Sequence, residues 1–149
     1  MYENYSIQSL PERDYRELLG SALCVFNANN AFIIENILKI ENDQHDWWEL
    51  MDQTSGILLR KVIIKQYSDK IPKDIIDLFD SLVKQRNRII HSSQVTGPKP
   101  KEEQLLYTRD RITGQQFFIT REYLLRFIKE NEELSTRLYA LRDQLEKKK

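Results

Sequence analysis

Apolar side chains recur every three to four residues along most of this chain, the spacing of helices that bury one face. The first such stretch covers about residues 11–41, with Tyr15, Leu19, Ala22, Phe26, Ile33, Ile37 and Ile40 on its stripe and Asn29 and Asn30 interrupting it. Ser9 and Glu12 have the spacing of a capping box around Pro11. The second stretch covers about residues 44–67, behind Asn42 and Asp43 as cap candidates, with Trp48, Met51, Leu58, Leu59 and Val62 on its stripe. The third opens at Pro72 and continues to about Ser93, and Ile75, Phe79, Leu82, Val83, Ile89 and Ile90 share its face. The fourth starts after Thr120, a good N-cap, with Tyr123, Leu124, Phe127, Leu134, Leu138, Leu141 and Leu145 facing inward. It ends in Lys147, Lys148 and Lys149, where cations suit a helix C-terminus.

Between the third and fourth helices the pattern changes. Residues 94–101 contain Gly97, Pro98 and Pro100 and read as a loop. Residues 105–109 and 115–119 read as two short strands, joined by a turn in which Gly114 supplies a positive φ. Two strands alone are marginal, so the hairpin is expected to lie against the helices. The expected fold is mainly all-α: one domain over residues 1–149, a bundle of four long helices with a small β-hairpin before the last.

Composition narrows the function. The 23 basic and 23 acidic side chains cancel, which argues against a generic charge-driven nucleic-acid binder and leaves only a local basic patch. The single cysteine, Cys24, lies in an apolar helical run and reads as a small buried hydrophobe. It permits neither an intrachain disulfide nor a cysteine-based metal site. His45 and His91 are too far apart in sequence for any metal-ligand spacing, so no metal site is expected. His45 reads as a surface or capping residue, and the Trp47–Trp48 pair as core plus rim. No signal peptide and no membrane span are expected, which points to a cytoplasmic location.

The third helix carries the chemistry. Arg86 falls in the middle of its apolar stripe. A guanidinium there cannot shed its proton and needs a carboxylate, a hydrogen-bond network or a subunit interface. Asn29 and Asn30 are candidates to meet it across the bundle. His91 follows five residues later, about 140° around an ideal helix, so both side chains reach one site only if the helix bends or the long arginine side chain reaches round. Asn87 lies between them. Lys84 and Arg88 continue a basic stripe toward His91 that can track an RNA backbone or be a solvated charged face.

Arg86-Asn87-Arg88-Ile89-Ile90-His91, near the end of a late helix in a bundle, resembles the arginine–polar–(three to five residues)–histidine signature of the HEPN superfamily. The motif spans six residues; the likeness in helix order extends over the chain. The resemblance implies a metal-independent endoribonuclease, with no cofactor, that dimerises so that two motifs line one cleft. His91 would serve as general acid or base, Arg86 would bind the scissile phosphate, and Asn87 would position them. It also implies a toxin or phage-defence setting, with an antitoxin as a further partner beside the RNA. The alternative is a non-catalytic helical interaction module, in which Arg86 is a structural ion-pair or interface residue. A weaker third reading is a nucleotide-binding helical domain like the partner modules of nucleotidyltransferases, without a Gly-rich phosphate loop.

Overall fold

The first and last helices form the backbone of the molecule. The computed structural model describes residues 2–40 and 45–148. After a 3-10 turn at Tyr2–Tyr5, α1 spans Arg13–Ile40; α2 is Trp47–Met51, and α3 is Ser55–Ile57. A π-helical segment, Leu58–Ile64, continues into α4, Lys65–Tyr67. Then come α5 (Lys73–Ile90), β1 (Ser93–Thr96), β2 (Gln104–Arg109), β3 (Gln116–Ile119) and α6 (Arg121–Lys147). The protein is thus mainly helical, with a small antiparallel sheet of order β1-β2-β3 before the last helix.

Helices α1 and α6 run parallel. Their contacts advance together along both: Asp14 with Arg121, Asn29 with Asn131, and Lys39 with Glu146. Helix α5 packs antiparallel to α6, with the Tyr123 hydroxyl donating to the Gln85 carbonyl at one end and Arg137 pairing with Asp74 at the other. Phe26 is stacked between Phe79 and Phe127, both at 6.1 Å between centroids, so one ring of α1 joins the cores of α5 and α6. By length and composition alone α1 could cross a membrane; here its buried side chains Tyr15, Ala22, Phe26, Ile33, Ile34 and Ile37 belong to this core.

The sheet is tied to the helices at both ends. The buried Tyr15 hydroxyl donates to the Ile119 carbonyl at 2.7 Å and accepts from the Leu106 amide at 3.1 Å, bridging a paired position of β2 and β3. Near the other end the Thr108 hydroxyl donates to the His91 carbonyl at 3.2 Å, and Arg88 donates to the Arg109 carbonyl. Arg121 pairs with Glu12, Asp14 and Glu103, holding the starts of α1 and α6 against the approach to β2. Its guanidinium keeps the Asp14 and Glu103 carboxyls below their ordinary range.

Several expectations change. The first helix, Arg13–Ile40, falls close to its expected bounds, but the Ser9 carbonyl accepts from the Gln94 side chain and no capping-box bond between Ser9 and Glu12 is formed among the described residues. The cap candidates Asn42 and Asp43, with Glu41 and Gln44, lie outside the described residues. Among those described, Asp46 caps α2 by accepting from the Trp48 and Glu49 amides. The second stretch is not one helix. It breaks at residues 52–54, where Thr54 takes an extended backbone and its hydroxyl accepts from the Ile57 amide. That local bond competes with continuing the helix, and Ser55 and Gly56 are weak helix formers. Trp48, expected on the stripe, is 65% exposed, while Trp47 packs against the core. Cys24 is exposed.

A third strand, β1, occupies the start of the expected loop, pairing Ser93 with Tyr107 and Thr96 with Gln104. It is a largely exposed edge strand with little apolar alternation, so pattern alone could not register it. Gly114 has the expected positive φ, 75°, and Thr120 caps α6 by accepting from the Tyr123 amide.

Candidate functional site

An open cleft of about 670 Å³ crosses the last turn of α5. Arg86, Asn87, Ile90 and His91 form one wall, Gln53, Thr54, Ser55, Gly56 and Arg60 face them from the broken second stretch, and Asn27 and Asn30 of α1 contribute to the lining. Arg111, from the turn between β2 and β3, completes the rim. The break at residues 52–54 brings its own polar residues into the cleft: Gln53 and Thr54 line it where a continuous helix was expected.

The 140° between Arg86 and His91 is bridged by this cleft. At about 100° per residue, Ile90 and Asn87 fall between them around the helix, and all four line one wall. His91 follows the last helical residue, with φ −98° and ψ 49°, its amide donating to the Asn87 carbonyl at 2.9 Å. It is exposed at the rim. Ile90, expected on the buried face, is 50% exposed, because it lines this open cleft.

Arg86 is half-buried at the cleft floor, its guanidinium 4.9 Å from the centre of the Phe26 ring. Neither Asn29 nor Asn30 satisfies it. The Asn29 amide donates to the carbonyl and side-chain oxygens of Asn131 and accepts from Ser135. Asn30 accepts from Ser55 at 2.8 Å and lines the same cleft as Arg86. The reason is geometric: the fully buried Asn131 on α6 already occupies the partner position beside Asn29. Among the described residues Arg86 has no carboxylate partner, and its Nε is buried without a hydrogen bond. Burial pushes its pKa below the ordinary arginine value. The Gln53 Oε1 is likewise buried and unpartnered. The cleft thus contains one unsatisfied donor and one unsatisfied acceptor.

Replacing Asn29 by leucine is expected to cost about 1–3 kcal/mol, since it strands polar groups of Asn131 and Ser135 in the α1–α6 interface. Chemical denaturation followed by circular dichroism reads this directly.

The remaining expected site residues are distributed as follows. The Asn87 side chain lines the cleft and a second groove behind it, and makes no hydrogen bond to Arg86 or His91. Arg88 lines that second groove and a third, shared with His91, Arg109 and Arg111. Lys84 pairs with Asp80 at 3.0 Å and lines the second groove only among these three. His45 contacts Gln66 at 3.0 Å, on other elements than those of the cleft. Among the described residues no three His, Cys, Asp or Glu side chains come together as a metal-binding group.

Electrostatics set the cleft apart from the neutral chain. Among the described residues no aspartate or glutamate lines it, whereas Arg60, Arg86 and Arg111 do. A cleft walled by one sign of charge concentrates its field on an anion. Arg60 and Arg111 carried no sequence signal: one lies in a helix with an ordinary charged face, the other in a turn. Only the tertiary structure brings them to the same cleft as His91.

No family model matches the chain, and no curated protein or solved structure matches it either.

Proposed function

We propose that the protein is a HEPN-like, metal-independent endoribonuclease acting as a homodimer. The observation that carries this reading is Arg86, a half-buried guanidinium with no counter-ion among the described residues, at the floor of a cleft that also holds His91. Such a group is prepared for an anion, and its planar fork matches a phosphate. In the reaction the ribose 2′-oxygen attacks the adjacent phosphorus. The 2′ proton leaves to a base, and the departing 5′-oxygen takes a proton from an acid. The products are a 2′,3′-cyclic phosphate and a 5′-hydroxyl. His91 is the lining residue of the type that exchanges protons near neutral pH. Arg86 stabilises charge on the non-bridging oxygens as phosphorus becomes five-coordinate, and Asn87 lines the same wall between the two.

One cleft supplies one imidazole, and the reaction uses an acid and a base. A second copy supplies the other His91. The exposed Ile90 between Arg86 and His91 favours this, since a covering copy buries it. In this reading the protein works in the cytoplasm as a toxin or phage-defence effector, held in check by an antitoxin.

Cleavage of RNA is expected to survive EDTA, and DNA of the same sequence is expected to stay intact. A magnesium requirement, or equal cutting of DNA, would sink the mechanism. Sedimentation at micromolar concentration should give a dimer; a monomer that is fully active contradicts the composite site.

A further inference from the structure

We infer that Arg60 and Arg111 flank Arg86 as phosphate-binding residues, so that the site takes a strand of several consecutive phosphates. This rests on the reading of the cleft as an RNA site and assigns it two residues beyond the motif.

Arg16, Arg121 and Arg137 each meet a carboxylate, whereas Arg13 and Arg126, outside the cleft, meet none among the described residues. Arg60 and Arg111 are exposed and meet none among the described residues. Each is held by a local device. Arg60 projects from the π-helical segment, and its guanidinium lies against Gly56, where a Cβ would come within 3.3 Å of one terminal nitrogen. The missing side chain leaves room for that arginine to lie along the cleft wall. Arg111 sits in a turn fixed by Asp110, whose carboxylate accepts from the Ile112 and Thr113 amides. Those bonds hold Asp110 below its ordinary pKa and engage it within its own turn. The ties from Thr108 to His91 and from Arg88 to Arg109 anchor that turn beside the end of α5.

Arg111 also lines all three grooves that meet at this point. A strand leaving the scissile position beside Arg86 and His91 therefore passes Arg111 on its way to the groove of Arg88 and Arg109. Arg60 holds it on the opposite side.

The test is binding, separated from cleavage. Full-length protein is titrated against a 2′-O-methyl oligonucleotide of about ten nucleotides, within the usual range of single-strand sites, and fluorescence anisotropy is followed over a salt series. Arg60→Gln and Arg111→Gln are each expected to weaken binding about tenfold. Each should also lower the slope of log affinity against log salt by about 0.7, the value of one lost single-strand phosphate contact. Arg13→Gln, exposed and in none of the three grooves, should bind as the wild type does. If the wild type binds and both arginine variants keep its affinity and salt slope, the inference falls and the nuclease reading stands. If the wild type binds no oligonucleotide, both fall.

Discussion

Replacing His91 by alanine is expected to lower RNA cleavage by about 10²–10⁴-fold, the usual contribution of a positioned acid or base. In the proposed dimer the substitution removes both proton-transfer groups at once, so the loss should lie at the upper end. Stability should change by less than about 0.5 kcal/mol, as for most surface positions. The structural reason is that His91 is held through its backbone: its amide donates to Asn87 and its carbonyl accepts from Thr108. Its side chain is exposed. Initial rates on a fluorogenic RNA, beside a urea unfolding curve, measure both quantities. Full activity in His91→Ala would leave the motif without a catalytic role and favour the interaction-module reading.

Arg86→Met is expected to separate activity from stability in the opposite sense to an ordinary core mutation. Cleavage should fall by about 10²–10³-fold, the loss seen when one donor to a developing oxyanion is removed. Stability should hold or rise by up to about 1 kcal/mol. The arginine gains about 0.5–1 kcal/mol from the face of Phe26, but an unsatisfied buried Nε costs about 1–3 kcal/mol. Methionine keeps an apolar stem over the same ring and removes the orphaned donor. Binding sites commonly carry such a stability cost. Thermal unfolding against initial rate checks the pair; a loss above about 2 kcal/mol would mean that the guanidinium serves the fold.

The helices were legible because their apolar stripes are long and regular: Phe26, Phe79 and Phe127 all proved to be core. The break after Met51 was not, because it depends on one hydroxyl, that of Thr54, outcompeting the helix locally. Edge strand β1 was hidden by its polar, largely exposed sequence, which makes sense only beside β2. At the site, periodicity did find Arg86 on the buried side of α5. It could not say that Asn131, three residues before Leu134 on α6, would take Asn29 and leave Arg86 alone. Nor could it bring Arg60 and Arg111 to His91, since they are joined to it only by the path of the chain through the π-helical segment and the sheet.

The central claim is that the ribose 2′-hydroxyl is the nucleophile at this cleft. Its most direct test uses an RNA with one mapped cleavage site, and the same RNA carrying a single 2′-deoxy residue on the 5′ side of that bond, both incubated with EDTA-treated protein. Mass spectrometry of the products should show a 2′,3′-cyclic phosphate and a 5′-hydroxyl from the first, and no cut at that bond in the second. Cleavage at the deoxy linkage, or a product bearing a 5′-phosphate, would contradict the account.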